Sequence, residues 1–362
     1  MITISLCMIV KNEEVTLAKC LGSILGLVDE IIIVDTGSTD RTKKIAASFT
    51  DKIFDFKWVD DFSAARNYSY SKASMDYILW LDADDVLLPE DRMKFKELKS
   101  ILDASVDNVM MKYNVGFDTH GNVTFSYYRE RLSKRSCNFQ WREPVHEYLA
   151  KGEKVINTEI CVTHTKIRRT QSDRNLKIYE RLLMEGNELS PRGLYYYARE
   201  LHENGRYKDA ILYFNKFLDS EKGWVEDNIC ACSALARCYS AIDDSKNSLE
   251  SMLRSFKYDM PRAELCCQIG YYYKSLKNYK SAIFWFELAT KLEKPENSWG
   301  FIQHEFWGYI PCIELSVCYD KLGKIQEAIK YNNKAGEYKP NNSSVIYNKK
   351  YFERLLTETK RA

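Results

Sequence analysis

Three carboxylates stand close together at the end of Tyr77-Ile78-Leu79-Trp80-Leu81-Asp82-Ala83-Asp84-Asp85. Acids spaced by one residue and held at a rigid strand end suit a hard divalent cation that also takes oxygens from a bound phosphate. A further acid, Asp35, closes the apolar run Glu30-Ile31-Ile32-Ile33-Val34 and opens the turn Thr36-Gly37-Ser38-Thr39-Asp40. Runs of this kind mark strands buried on both faces of a parallel sheet, and open α/β sheets bind ligands beyond the carboxyl ends of their strands. The plainer reading is structural. Pro89 and Glu90 open a helix after the acids, and Ser38, Thr39 and Asp40 are N-cap candidates for the helix after Asp35.

The elements that must position these acids follow from periodicity. Ile2 to Val10 reads as a strand, and Val15 to Leu25 as a helix with Leu17, Cys20, Leu21, Ile24 and Leu25 on one face. After the strand ending at Asp35, a helix begins near Arg41. Lys52 to Phe56 is a third strand, Asp61 to Ala73 a helix and Asp76 to Leu81 a fourth strand. This alternation predicts a right-handed parallel βαβ sheet. No Gly-x-x-x-x-Gly-Lys-Ser/Thr phosphate loop accompanies it. From Val106 the pattern shifts to alternating strands over Asn108–Phe117, Asn122–Leu132 and Lys154–Thr163, with a hairpin tip at Asp118-Thr119-His120-Gly121-Asn122. A helix is expected from Ser172 to Leu189.

Composition narrows the class. The chain of 362 residues can hold two or three domains, and its hydrophobic share of 45% is ordinary for a globular protein. With 53 basic and 51 acidic residues, no strong field points to nucleic acid or an anionic membrane as partner. The 11 cysteines contain no Cys-x-x-Cys pair and mostly sit in apolar patterns, where a thiol behaves as a small hydrophobe. The apolar start has no basic n-region, and Lys11-Asn12-Glu13-Glu14 follows at once, so a first strand is expected and not a signal peptide. No run reaches membrane-spanning length. A reducing, cytoplasmic setting is the expectation.

Four motifs carry a resemblance: Ser5-Leu6-Cys7-Met8-Ile9-Val10-Lys11-Asn12-Glu13-Glu14, Ile31 to Asp40, Asp61-Phe62-Ser63-Ala64-Ala65-Arg66-Asn67 and Leu81-Asp82-Ala83-Asp84-Asp85. In this order they resemble family 2 glycosyltransferases of the GT-A fold. The resemblance implies an α/β, Rossmann-like, mostly parallel domain over residues 1–170. It implies that Val10, Asn12 and Glu13 line a nucleoside pocket, and that Asp35 accepts a uracil N–H. Arg66 would lie near the diphosphate or base, and Asp82, Ala83 and Asp84 at the nucleotide sugar. Mn²⁺ or Mg²⁺ would be bound by Asp84, with Asp82 reaching ribose or metal and a late histidine, His164, completing the shell. Trp141-Arg142-Glu143-Pro144-Val145-His146-Glu147-Tyr148 resembles a segment of lipopolysaccharide β-glucosyltransferases. An inverting base is expected there: Glu147 first, Glu143 second, with His146 orienting either. The usual Glu-Asp pair of the family is not recognisable. Lys166, Arg168 and Arg169 could close over a diphosphate or form a solvated face.

The second half reads as a repeat array. Leu194-Tyr195-Tyr196-Tyr197-Ala198 through Gly205-Arg206-Tyr207-Lys208-Asp209-Ala210 follows the tetratricopeptide pattern, and three further copies are expected. Ala210, Ser248 and Ala282 recur at a spacing of about 34–38 residues. The second copy has Asp243-Asp244-Ser245 where a turn glycine is usual. The aromatic stretch Asn297 to Pro311, with Trp299, Phe301, His304, Phe306 and Trp307, is either an extended first helix or an insertion. A connecting helix over 171–190 and an all-α tetratricopeptide solenoid over 191–362 would complete the chain. The pairing resembles bacterial glycocin peptide S- or O-glycosyltransferases. It implies a metal-dependent inverting transfer from a UDP-sugar to Ser, Thr or Cys of a peptide or protein. The repeats would contact that acceptor or pair two subunits. A transferase acting on lipopolysaccharide or surface polysaccharide is the alternative, and a non-catalytic partner-binding scaffold is the alternative from another class.

Overall fold

A computed structural model describes residues 1–118, 121–165, 173–294, 300 and 302–359. The chain divides into two units, the first being Met1–Leu189 and the second beginning at Ser190. In the first, β1 (Ile4–Val10), β2 (Glu30–Asp35), β3 (Ile53–Asp55) and β4 (Tyr77–Trp80) run parallel in the order β3-β2-β1-β4. Every residue of β2 and β4 is buried, as expected of strands covered on both faces. Helix α1 (Leu17–Ile24) buries Leu17, Cys20, Leu21 and Ile24. Leu25, expected on that face, has left the helical conformation as its C-cap and is exposed. Helices α2 (Thr42–Ala46) and α3 (Phe62–Tyr70) follow β2 and β3, and Asp61 caps α3 by accepting the Ala64 N–H at 3.0 Å.

After β4 come β5 (Asp85–Val86), α4 (Pro89–Ile101), β6 (Asn108–Phe117), β7 (Val123–Lys134), β8 (Trp141–Arg142), β9 (Tyr148–Leu149), β10 (Val155–His164) and α5 (Arg174–Met184). The sheet continues from β4 through β7, β6 and β10 to β5. The β4–β7, β7–β6 and β10–β5 pairs are antiparallel, while β6–β10 is parallel. Two very short strands, β8 and β9, form a separate ribbon. At the β6–β7 hairpin, Gly121 takes φ +83°, a left-handed conformation that favours glycine, and its N–H donates to Asp118 at 3.0 Å. Thr119, His120, Lys166, Arg168, Arg169 and Ser172 lie outside the described residues.

The second unit is helical. Its pairs are α6 (Pro191–Glu203) with α7 (Tyr207–Asp219), α8 (Val225–Ala241) with α9 (Ser245–Arg254), α10 (Ala263–Ser275) with α11 (Tyr279–Lys291), and α12 (Tyr309–Lys321) with α13 (Ile325–Tyr338). Helix α14 (Ser343–Thr359) ends the array. Pro191 opens α6 and Ser190 caps it, accepting the Gly193 N–H at 2.9 Å. The turns between paired helices use left-handed residues: Gly205, Asp243, Lys277 and Gly323. Asp243 therefore takes the place of the missing glycine, a substitution aspartate tolerates better than most. Ala210, Ser248, Ala282 and Ala328 are buried at equivalent points of the second helices, where a small side chain permits close packing. Helix α12 starts only at Tyr309, after a tight turn over His304–Trp307, so His304, Phe306 and Trp307 do not extend that helix; Trp299 and Phe301 lie outside the described residues. All eleven cysteines are free thiols. Among the described residues, no helix is long and apolar enough to cross a membrane.

Candidate active site

Register brings the sequence-predicted acids to one edge. Val10 pairs with Asp35 and Cys7 with Trp80, so Asp35 and Asp82 leave the sheet at its carboxyl edge on the strands flanking β1. Asp35 is buried, and the N–H groups of Gly37 and Ser38 donate to its Oδ1 at 2.9 and 2.8 Å. Its Oδ2 is also buried and, among the described residues, has no hydrogen-bond partner. An orphaned carboxylate oxygen is costly to bury and asks for a donor. The Val10 carbonyl accepts from the Thr36 N–H and hydroxyl. Asn12, at φ +55°, is tied to the next loop, its Oδ1 taking the Thr39 N–H at 2.8 Å while its N–H donates to Ser38 Oγ at 3.0 Å. The Glu13 N–H donates to Thr42 Oγ1 at 2.7 Å. Ser38 and Thr39 thus clamp the loop after β1 and do not cap a helix.

Arg66 is the hub of the second group. Its guanidinium lies 4.7 Å from the Trp80 ring and 4.9 Å from Trp141, which fixes its plane. From there Nε donates to Glu147 Oε1 at 2.6 Å and Nη2 to Asp82 Oδ1 at 2.8 Å. Burial opposes the Arg66 charge, but Asp82 and Glu147 more than offset it and push its pKa up. Partial burial also opposes ionisation of Asp82, yet Arg66 and Arg131 hold that carboxyl down at about 2. Asn67, the next residue of α3, brackets Trp141: its Oδ1 accepts the Trp141 N–H at 2.8 Å and its Nδ2 donates to the Trp141 carbonyl at 3.0 Å. The β8–β9 ribbon carrying Glu143, His146 and Glu147 is thereby fixed to α3. Glu143 and His146 adopt φ +72° and +53°, left-handed conformations that cost energy for such residues and cluster at functional loops.

The third group is Asp84, Asp85 and His164, each offering one ligand atom within 4.8 Å of the others. Strand pairing sets Asp85 directly opposite His164. His164 Nδ1 lies 3.4 Å from Asp84 Oδ1, 3.7 Å from Asp85 Oδ1 and 3.0 Å from the Tyr113 hydroxyl. Partial burial lowers the imidazole pKa, but the two carboxylates outweigh it and push it up to about 9. Two carboxylates and an imidazole make a mixed oxygen–nitrogen donor set of the kind Mn²⁺ or Mg²⁺ accepts, and the residues fit such an ion. Asp82, expected in this set, instead faces Arg66, because the guanidinium captures its Oδ1.

Residues 5–176 match the family described as Glycosyl transferase family 2. The amino-terminal domain is similar to that family over this stretch. Residues 263–295 and 311–342 match the Tetratricopeptide repeat family. A TPR repeat-containing protein of Synechococcus elongatus is 40% identical over 150 residues, 41% of this chain and 35% of that protein. The chain thus spans about a third of that relative. The SPbeta prophage-derived glycosyltransferase SunS of Bacillus subtilis is 26% identical over 316 residues, covering 82% of this chain and 70% of SunS. Among solved structures, MamA aligns with a TM-score of 0.35 at 20% identity over 46% of this chain and 81% of its own. S. aureus TarS, residues 1–349, aligns with a TM-score of 0.36 at 13% identity over 71% and 88%.

Several residues that shape the transferase domain's candidate site had no place in the sequence reading. Arg131 and Tyr113 are among them, and Trp80, Asn67 and Asp85 stood in quoted motifs without a role. Arg129 and Arg131 alternate along β7, so a strand period would have put both on one face. Nothing in that period says that Trp80 receives both guanidiniums, at 4.8 and 4.0 Å.

Proposed function

We propose that the chain is a metal-dependent, inverting glycosyltransferase that moves a sugar from a UDP-sugar to a Ser, Thr or Cys side chain of a peptide or protein. Residues 1–170 would perform the transfer, 171–190 would connect, and 191–362 would present the acceptor. The observation that carries the reading is the buried, unpartnered Asp35 Oδ2 at the same sheet edge as the Arg66–Asp82–Glu147 group. Being acceptor-only, that oxygen favours a base presenting an N–H, as uracil does. Arg66, stacked and doubly hydrogen-bonded, supplies a fixed positive charge toward phosphate oxygens. Glu147 would receive the acceptor's proton, and a thiol acceptor would ask little of it. Asp84 and His164 would hold Mn²⁺ or Mg²⁺, which when bound would neutralise charge on the departing diphosphate.

The polypeptide acceptor is supported by the repeats, and sugar transfer by the likeness to SunS, itself named a glycosyltransferase. The repeat unit contains a cavity of about 560 Å³ lined by Tyr271, Tyr309, Glu314, Ser344 and Tyr347, a mixed aromatic and polar wall suited to an extended peptide. The free thiols suit a cytoplasmic setting. The test offers a panel of UDP-sugars and candidate peptides, with products read by mass spectrometry. Peptides gaining a hexose-type mass in wild type, and about 100-fold less in Asp84→Ala, are expected. Unchanged turnover in that variant rejects the metal assignment, and lipid-linked products without peptide products would move the acceptor to a glycan.

A further inference from the structure

We propose that Asp85, and not Asp82, is the second carboxylate of the cation site, and that Arg131 is the positioning residue that aims it. The inference rests on the metal-dependent reading above and assigns this chain's own ligands within it. Asp85 is fully buried and its two oxygens have different fates. Oδ2 is held twice, by Arg131 Nη1 at 2.9 Å and by the Asp82 N–H at 3.0 Å. Oδ1 is buried and, among the described residues, takes no hydrogen bond; it lies 3.7 Å from His164 Nδ1, on the side of Asp84. The carboxylate is therefore locked by one oxygen and presents the other to the shared ligand group.

Arg131 explains why this costly arrangement persists. Its side chain has no solvent exposure, its guanidinium lies 4.0 Å from the Trp80 ring and 4.4 Å from Tyr113, and its Nε and Nη2 find no partner among the described residues. An arginine cannot shed its proton to escape burial, so its fork stays a fixed donor to one oxygen of Asp85. A buried pair with unsatisfied atoms on both partners contributes little to stability for its own sake. It makes physical sense as a device that keeps an anionic oxygen ready for a dication. The same wiring releases Asp82: with its backbone N–H on Asp85 and its side chain on Arg66, it serves the nucleotide side of the site.

Mn²⁺ affinity of the full chain, measured by electron paramagnetic resonance of free Mn²⁺ without any sugar donor, tests the assignment. Asp85→Asn and Arg131→Met should each weaken Mn²⁺ binding by about tenfold or more, with Arg131→Lys recovering part of the loss, whereas Asp82→Asn should change it by less than about threefold. Removing one member of a buried pair can unfold a protein, so the double variant Asp85→Asn/Arg131→Met is included; it replaces both charges with neutral groups. It should keep the wild-type circular dichroism and melt cooperatively, yet bind Mn²⁺ as poorly as Asp85→Asn. A folded double variant with wild-type Mn²⁺ affinity overturns the assignment alone. A wild-type chain that binds no Mn²⁺ overturns the metal reading and the assignment together.

Discussion

At the scale of the residue, the candidate site is a set of charges whose partners are only half supplied by the protein. Asp35 is the clearest case, with one oxygen satisfied by two backbone N–H groups and the other buried without a donor. Replacing it with Asn should leave the two backbone bonds to the remaining carbonyl oxygen, but turn the orphaned position into an N–H₂ donor facing a donor. Asp35→Asn is therefore expected to weaken UDP binding by about tenfold or more, on the order of 1–3 kcal/mol, while shifting the melting temperature little. Calorimetric titration with UDP checks this; wild-type affinity would remove Asp35 from the base site. Some of this chemistry was legible beforehand, because an acid ending an apolar run is visible without coordinates. The division of labour among Asp82, Asp84 and Asp85 was not. It depends on which carboxylate a distant guanidinium captures, and Arg66 and Arg131 reach them across 16 and 46 positions of sequence.

At the scale of the element, long periodic segments were readable and two-residue strands were not. β6 runs over Asn108–Phe117 as its alternation predicts, and β1, β2 and β4 fall within a few residues of expectation. β5, β8 and β9 are each two residues long, too short for any hydrophobic period to register. Yet β5 sets Asp85 opposite His164, and β8 and β9 carry the strained loop with Glu143, His146 and Glu147. What stabilises that ribbon comes from α3, through the paired hydrogen bonds of Asn67 to Trp141 and the Phe62 N–H donated to the Pro144 carbonyl at 2.9 Å. Asn67→Ala removes both side-chain bonds and is expected to cost about 1–3 kcal/mol of stability. Because the loop would then be free to relax, transfer to acceptor should fall by at least about tenfold, with UDP affinity held near wild type. Equal losses in both measurements would mean that Asn67 supports the whole domain and not this ribbon.

At the scale of the whole molecule, the α/β-then-repeat order was legible because strand and helix periods differ and the repeat has its own spacing. One buried acid in each unit, however, responds to pH with a sign opposite to the other, which no pattern discloses. In the first, burial opposes the charge on Glu30, but Lys52, Ser5 and Ser74 outweigh it and hold the carboxyl down at about 2. Its contribution is present above its ordinary value near 4.5 and is lost as pH falls toward 2. In the second, Asp227 on α8 is raised by burial from 3.8 to about 6, with Arg192 and Arg199 only partly offsetting the shift. The folded repeat unit thus binds a proton that the unfolded chain has already released between those values, so stability declines as pH rises through that window and stays lower above it. Asp227→Asn abolishes the deprotonation. It should stabilise the repeat unit by about 1–3 kcal/mol at pH 7.5, a rise of several degrees in its melting temperature, and bring no gain below pH 4. The melting midpoint of variant against wild type across this range decides the matter. A benefit independent of pH would show that shape rather than charge is what Asn improves. A loss at pH 7.5 would show that the attraction of Arg192 and Arg199 exceeds the cost of burying the carboxylate.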